Sequence, residues 1–330
     1  MAGVQGSALT IAVSNAGGLG SLPAAMLTAD ALRDELAAIA RSTSQPYNVN
    51  FFCHTPPQAD AAREARWRER LAPYYRECGL DPQVIPAATV RLPFGHDAAD
   101  VLEEFKPPVI SFHFGLPGPA LLDRVRAWQP TILSSATTVD EALWLEAHGV
   151  SAIIAQGVEA GGHRGMFLTG DITTQAGTFA LVPQIAAAVR VPVIAAGGIA
   201  DAAGVAAAMR LGAAAVQIGT AYLLCPEAAT SRLHRDAIAS PRARHTALTN
   251  VFTGRPARGI VNRLIAEVGP MSADAPAFPL AAAAVAPLRS HAEARGSSDF
   301  SPLWAGQNVT GCRAVPAAVV TGDLAARLTR

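Results

Sequence analysis

Several common signals are missing from this chain. Lysine occurs only at Lys106, so arginine supplies nearly all of the positive charge, and the 26 basic side chains balance 26 acidic ones. A net charge of zero offers no basic surface of the kind that binds nucleic acid or anionic lipid. The four cysteines are widely spaced and form no CxxC pair. This excludes a zinc ribbon and favours free thiols in a reducing compartment.

Long apolar runs are missing as well. None reaches the roughly 20 residues that a membrane-spanning helix needs, and the N-terminus lacks the basic and apolar regions of a signal peptide. We therefore expect a cytoplasmic protein, a monomer or homodimer, without nucleic-acid, membrane or metal partners. Half of the 330 residues are nonetheless hydrophobic, which is enough for one large barrel or two ordinary domains.

Short apolar runs alternate with alanine-rich amphipathic stretches up to about residue 225. Such runs, without polar alternation, are typical of parallel strands buried on both faces. The predicted strands are Tyr47–Phe52, Val109–Phe112, Thr131–Ser134, Ala152–Gln156, Val193–Ala196 and Ala215–Ile218. The predicted helices lie near 29–43, 59–78, 119–128, 138–149, 176–190 and 201–212. The order predicts right-handed βαβ units. Their number favours a TIM (β/α)8 barrel over an open doubly wound sheet.

The pattern changes after residue 225. Residues 226–311 are typical of helices with irregular links, and no strand alternation is evident there. We predict three parts: a barrel at 1–228, a small helical lid over its mouth at 229–311, and a C-terminal helix at 312–330 that packs back on the barrel.

Glycines follow two of the predicted strands in "VPVIAAGGIADAAGVAAAMRLGAAAVQIGTAYLL", residues 191–224. Gly197-Gly198 precede a helix that Asp201 is placed to cap, and Gly219-Thr220 follow the next strand. In barrels, the loops after the last two strands commonly bind phosphate through backbone N–H groups and a helix N-terminus. The sequence therefore predicts a phosphate site, and it leaves open whether a flavin mononucleotide (FMN) or a sugar phosphate binds there.

Two histidines lie near predicted strand ends. His163 stands in the glycine-rich stretch "AQGVEAGGHRG", residues 155–165, and His113 in "VISFHFGLP", residues 109–117. A neutral imidazole there is suited to act as a general base or to hydrogen-bond an anionic substrate. A structural role for either residue is the alternative, and for His113 this means packing between two phenylalanines. Glu159 could act as an acid or base, and the favoured interpretation is a charge that orients Arg164 or caps a turn.

These stretches, with others along the chain, resemble the nitronate monooxygenase family, formerly called 2-nitropropane dioxygenases, and in particular its bacterial class I. The further matching stretches are "AVSNAGGLGSLP" at 12–23, "PYNVNFFCH" at 46–54, "AAGGIADAAGV" at 195–205, "AVQIGTAYLLCPE" at 215–227, "RHTALTNVFTGRPARGIVNRL" at 244–264 and "LWAGQN" at 303–308. They span nearly the whole chain in order.

The resemblance implies an FMN-binding TIM barrel with a helical substrate domain. His163 corresponds to the family's active-site histidine, and His113 and Phe278 are expected to line the substrate pocket. The expected flavin contacts are Asn50, Gln156, Gly161, Gly162, Gly197, Gly198, Gln217, Ile218, Gly219 and Thr220. The implied reaction is the oxidation of alkyl nitronates, such as propionate 3-nitronate, by O2 to a carbonyl compound and nitrite.

The chain departs from the family pattern in two places. It begins after the point where the family's first strand would lie, so we expect that strand to be missing from the barrel. A start codon placed too far downstream would explain this. In the lid, "AFPLAAAAVAPLR" at 277–289 lacks the tyrosines and lysine of class I relatives. This predicts a roomier and less polar pocket wall.

Two alternative functions remain open at this point. An NAD(P)H-dependent flavin reductase, of the enoyl-acyl-carrier-protein reductase II or quinone reductase kind, shares the barrel, the glycine-rich loops and a similar histidine loop. A flavin-free TIM barrel that binds a phosphate ligand would use the same glycines.

Overall fold

The computed structural model describes residues 3–85 and 91–328. Its main sheet is built from β1 (Gly20–Pro23), β2 (Tyr47–Phe52), β3 (Val109–His113), β4 (Thr131–Ala136), β5 (Ala152–Gln156), β7 (Val193–Ala196) and β8 (Ala215–Gln217). These seven strands are all parallel and pair in the order β1-β2-β3-β4-β5-β7-β8. A second, antiparallel sheet has the order β6-β10-β9 and comprises β6 (Gly162–His163), β9 (Thr246–Thr249) and β10 (Ala257–Ile260).

Twelve α-helices accompany the strands in the described ranges. They are α1 (Ser7–Asn15), α2 (Ala29–Ser42), α3 (Ala61–Glu77), α4 (His96–Phe105), α5 (Pro119–Arg126), α6 (Val139–Ala147), α7 (Thr178–Ala188), α8 (Ala202–Arg210), α9 (Arg232–Ala239), α10 (Arg263–Val268), α11 (Ala281–Glu293) and α12 (Ala317–Ala325). Helices around a curled parallel sheet make a TIM-barrel-like α/β fold, as the sequence predicted. None of these helices combines the length and the apolar character of a membrane span.

The helices bury one face each against the sheet. In α2, Leu32, Leu36 and Ile39 recur at helical spacing and are fully buried, and the Thr28 side chain caps the helix by accepting from the Ala31 N–H at 3.2 Å. This spacing places the three side chains on one face. The apolar residues of the strands pack against such faces in one continuous core.

The sequence predicted six strands of the main sheet, and all six are present with small differences at their ends. It did not identify β1, whose four residues include glycine and proline. Gly20 is required there because a Cβ at this position would lie 2.0 Å from the main-chain oxygen of Thr10 in α1. The close approach of α1 to β1 thus explains why glycine occupies this position. Because glycine is uncommon inside strands, β1 could not be recognised from the sequence.

The outer strands of the main sheet are β1 and β8. Each pairs with only one neighbour among the described residues. Gln217 at the end of β8 is exposed.

The lid region is not purely helical. Residues 229–311 contain α9, α10 and α11, but also the antiparallel pair β9 and β10. The expectation that strands would be absent here was therefore wrong. β10 also pairs with β6, which follows β5 of the main sheet, so main-chain hydrogen bonds connect the lid to the barrel.

Helix α3 belongs to the lid core even though about 150 residues of sequence separate its end from the lid, and it lies in the range predicted for the barrel. Trp67 and Tyr75 of α3 pack among apolar residues from α10 and α11. The Trp67 indole N–H donates to the Ala281 oxygen at 3.2 Å, and the Tyr75 hydroxyl donates to the Ala284 oxygen at 2.7 Å. The proposed division at residues 228 and 311 remains a prediction. At the other end of the chain, α12 packs on α1 and α8.

The buried Tyr75 hydroxyl generates a test of the α3–α11 contact. We predict that Tyr75→Phe lowers the free energy of unfolding by about 1 kcal/mol, because it removes one buried hydrogen bond and leaves the ring in place. Urea unfolding followed by circular dichroism measures the change. Tyr47→Phe is the matched control, at a buried tyrosine whose hydroxyl makes no hydrogen bond among the described residues. Equal effects of the two substitutions would contradict the assignment.

Candidate active site

His163 lies where the barrel meets the lid. The chain leaves β5 at Gln156, turns through residues 157–161 and forms β6, in which His163 is the partner of Ala257 in β10. Gly161 allows this path, because a Cβ there would lie 2.6 Å from main-chain atoms of Ala305 and Gly306. The histidine predicted in a glycine-rich loop is thus held in a short strand.

Two charged side chains, Arg164 and Glu159, hold the loop 157–161 in place through hydrogen bonds. The fully buried Arg164 donates to the main-chain oxygens of Gln156 and Gly157 at 2.5 and 2.7 Å. Glu159 accepts from the Thr178 N–H at 2.8 Å and from its hydroxyl at 2.8 Å, at the N-terminus of α7. The interpretation of Glu159 as a capping residue is confirmed.

The two predicted histidines come together, but through the backbone. His113 Nε2 lies 3.1 Å from the main-chain oxygen of His163, and His113 Nδ1 lies 3.0 Å from Ser135 Oγ. Only Nε2–H can donate to a carbonyl oxygen, so Nδ1 accepts from the Ser135 hydroxyl. The His163 ring has its own partner, with Nε2 at 2.9 Å from Thr253 Oγ1.

Both imidazoles are neutral at physiological pH. Burial is the main cause, since it disfavours the charged form, and it lowers the pKa of His113 to about 3. Burial also lowers the pKa of His163 well below its ordinary value, with further lowering by Arg91, His113 and Arg255. His163 therefore has a free lone pair for accepting a proton or a hydrogen bond, and it contributes no positive charge to anion binding.

Three phenylalanines surround the His163 ring. Phe278 from the lid lies 5.2 Å from it between ring centroids, and Phe52 and Phe114 from the barrel lie 6.2 and 6.1 Å away. The three rings form one apolar cluster. Phe278, expected from the sequence to line the substrate pocket, is thus in contact with the histidine.

A cleft of about 390 Å³ opens beside Phe278. Its lining residues are His54, Thr55, Pro56, Pro57, Arg63, Gly254, Arg255, Ala277 and Phe278, with no carboxylate among them. The buried Nε atoms of Arg63 and Arg255 have no hydrogen-bond partner in the described part of the chain. Burial lowers the pKa of Arg255 to about 10, and its guanidinium lies 3.8 Å from the Phe114 ring centroid. Desolvated cations without a carboxylate are costly, and an anion compensates them.

From the segment 277–289, only Ala277 and Phe278 line this cleft, so the roomier and less polar wall stays a prediction. The polarity of the cleft comes from Arg63 and Arg255, to which the sequence assigned no role. His54 is a cleft residue that the sequence did not single out. It is buried and lines the cleft, its ring lies 4.8 Å from that of Phe278, and its Nε2 lies 3.0 Å from the Arg91 oxygen.

The predicted glycine cradle lies at the ends of β7 and β8. Gly197 and Gly198 have φ of +119° and +73°, which L side chains rarely adopt. Asp201 caps α8 as predicted, accepting from the Gly204 N–H at 2.7 Å. Within the described residues, no hydrogen-bond acceptor is assigned to the backbone N–H of Gly198 or Gly219.

The segment 303–308 closes a third side of this cradle. Gly306 N–H donates to Thr220 Oγ1 at 2.9 Å, and the Asn308 amide donates to the Gly198 oxygen at 3.0 Å. Gln307 N–H donates to the Glu159 oxygen at 3.0 Å. The sequence matched this segment to the family but assigned it no role, because nothing local in "LWAGQN" indicates which loops it joins.

The two predicted flavin-binding amides differ in how they are engaged. Asn50 donates to Ser111 Oγ at 2.7 Å, and its Oδ1 has no hydrogen bond among the described residues. Gln156 uses both ends within the loop: Oε1 accepts from the Gly165 N–H at 2.7 Å, and Nε2 donates to the His163 oxygen at 3.0 Å. Gln156 therefore also positions His163.

Comparison with known proteins identifies the family. The family model for nitronate monooxygenase matches residues 1–329. The nitronate monooxygenase of Pseudomonas aeruginosa is 43% identical, over 99% of this chain and 94% of its own length. That of Paraburkholderia phytofirmans is 42% identical, over 98% and 89%. This chain belongs to the nitronate monooxygenase family. Family membership supports nitronate oxidation and makes the chain a flavin-dependent oxidoreductase.

Solved structures agree with this assignment. A nitroalkane oxidase from Streptomyces ansochromogenes superposes with a TM-score of 0.89 at 37% identity, covering 100% of this chain and 94% of that one. FabK from Thermotoga maritima superposes with a TM-score of 0.74 at 26% identity, covering 100% and 90%. This nitronate monooxygenase family member thus shares its barrel and lid arrangement with both.

The low pKa of His113 predicts a pH-dependent stability. Below its ordinary pKa of 6.5, the imidazole binds a proton in the unfolded chain but not in the native one, so unfolding becomes easier as pH falls toward about 3. One such group contributes a slope of up to about 1.4 kcal/mol per pH unit. We predict that His113→Asn reduces the slope of unfolding free energy between pH 6.5 and 5, measured by urea titration. His245→Asn, at an exposed histidine, is the control. An unchanged slope in His113→Asn would disprove a neutral buried imidazole.

Proposed function

We propose that this enzyme binds FMN and uses molecular oxygen to oxidise small alkyl nitronates to a carbonyl compound and nitrite. The observation that carries the proposal is a neutral imidazole, His163, held between an arginine-lined cleft and a glycine cradle. Phe278 connects His163 to the cleft, and the 303–308 segment connects its loop to the cradle.

The residues of the cradle fit FMN. The backbone N–H groups of Gly198 and Gly219, which have no acceptor among the described residues, are suited to donate hydrogen bonds to a phosphate. The exposed amide of Gln217 and the free Oδ1 of Asn50 are suited to the polar edge of an isoalloxazine ring. Bound FMN would supply the redox chemistry that no side chain can provide. Gln156, Gly161, Gly162, Gly197, Ile218 and Thr220 complete the proposed contact set.

The cleft is suited to the substrate. A nitronate is an anion, and Arg255 and Arg63 provide positive charge, each with an unpartnered Nε, in a cleft that no carboxylate lines. His163 provides a hydrogen-bonding nitrogen beside Phe278. Because the arginines line the cleft, they would bind the carboxylate of a substrate such as propionate 3-nitronate. The nitronate carbon would then face the flavin. Charge-assisted hydrogen bonds of this kind are about twice as strong as neutral ones.

The central test is His163→Asn. We predict that it lowers turnover of propionate 3-nitronate at least about tenfold, since it removes the imidazole and keeps a polar side chain. Bound FMN, measured by absorbance after purification, should stay close to the wild-type level. The assay measures nitrite and oxygen consumption without nicotinamide. Near-normal turnover in the variant would contradict the proposal, and so would a wild-type enzyme that needs NADH. A protein that cannot be loaded with FMN would contradict the proposed cofactor.

The role of the cleft is tested separately with Arg63→Ala. We predict that it raises KM for propionate 3-nitronate about tenfold, because the loss of one charge-assisted hydrogen bond corresponds to about this factor. The KM for ethyl nitronate, which has no carboxylate, should change much less. Arg66→Ala is the matched control, because Arg66 lies on the same helix and pairs with Asp274 at 3.4 Å outside the cleft. An equal rise in KM for both nitronates would remove Arg63 from carboxylate recognition.

A further inference from the structure

The two ring nitrogens of His163 have different surroundings. Nε2 lies 2.9 Å from Thr253 Oγ1. Nδ1 makes no hydrogen bond among the described residues, and it is not one of the enclosed polar atoms that lack a partner. Nδ1 is therefore the nitrogen that is accessible to a molecule in the site.

The hydroxyl of Thr253 decides where the proton of the neutral ring resides. Besides Nε2, the other acceptor near this hydroxyl is the Arg255 oxygen at 3.5 Å. If the hydroxyl proton is directed to Arg255, Oγ1 accepts from Nε2–H and the lone pair lies on Nδ1. If it is directed to Nε2, the ring proton occupies Nδ1 and blocks the accessible nitrogen. The site accepts a proton only in the first arrangement.

Thr253 is rigidly placed for this role. Its side chain is 4% exposed. The next residue, Gly254, has φ of +89°, and a Cβ there would lie 1.9 Å from the Pro276 oxygen. The Gly254 N–H also donates to the Asn250 oxygen at 2.8 Å. The turn that carries Thr253 is thus packed against the segment leading to Phe278 and cannot shift freely.

We propose that Thr253 is a positioning residue that holds His163 in its Nε2–H tautomer, so that Nδ1 removes the α-proton of a neutral nitroalkane. This rests on the proposed function. In this step the α-C–H bond breaks, its electron pair delocalises into the nitro group to give the nitronate, and the proton moves to Nδ1. Thr253 Oγ1 continues to accept from Nε2–H and orients the imidazolium. A base oriented by a third group is a recurrent arrangement in catalysis.

The test compares two substrates of equal size. Nitroethane requires proton removal and ethyl nitronate does not, so loss of the Thr253 hydroxyl should affect the first more. We expect Thr253→Val to lower kcat/KM for nitroethane at least about tenfold more than that for ethyl nitronate, and Thr253→Ser to restore the wild-type ratio. The isotope effect with α-deuterated nitroethane should increase in Thr253→Val, because proton transfer becomes more rate-limiting.

Further variants keep this experiment decisive. Thr253→Ala also lacks the hydroxyl without adding bulk, and it should show the same substrate ratio if Thr253→Val packs poorly. Thr131→Val is the matched control at an exposed position. Equal losses on both substrates, or no rescue by serine, would overturn the inference. A wild type that oxidises ethyl nitronate but not nitroethane would overturn it as well and leave the proposed function standing. A wild type inactive on both would reject the proposed function itself.

Discussion

The main-chain oxygen of His163 holds the site together. It accepts from His113 of β3 and from Gln156 of β5, while its own strand pairs with β10 of the lid. These bonds are partly buried, and hydrogen bonds shielded from water are stronger and more costly to break than exposed ones. Because one carbonyl joins two barrel strands to the lid, the position of the imidazole depends on all three elements at once.

The same enclosure sets the electrostatics of the site. Burial keeps His113 and His163 neutral, and nearby guanidinium groups act in the same direction on His163. Arg255, by contrast, remains a cation with an unpaired buried Nε. Positive charge and proton-accepting capacity are thus assigned to different residues. An anionic substrate binds to the positive charge and leaves the neutral imidazole free to accept a proton.

The local sequence patterns predicted six of the seven strands of the main sheet, the glycines after β7 and β8 and the Asp201 cap, because these features recur with the apolar runs and strand ends of a regular βα repeat. The hairpin of β9 and β10 was missed, since each of its strands has only four residues. The cleft was missed for a different reason. His54, Arg63, Arg255 and Phe278 are distant in sequence, and only the packing of α3 on the lid brings them together. The hydrophobic periodicity of a sequence indicates local helices and strands and cannot indicate a contact between residues so far apart.

The position of α3 has a consequence for how molecules reach the site. The chain passes between barrel and lid around α3, through β6 and again after residue 303, so several connections hold the two parts in register. Small molecules can therefore approach through the standing cleft without any separation of barrel and lid, and the Phe278 ring, 5.2 Å from that of His163, lines this approach.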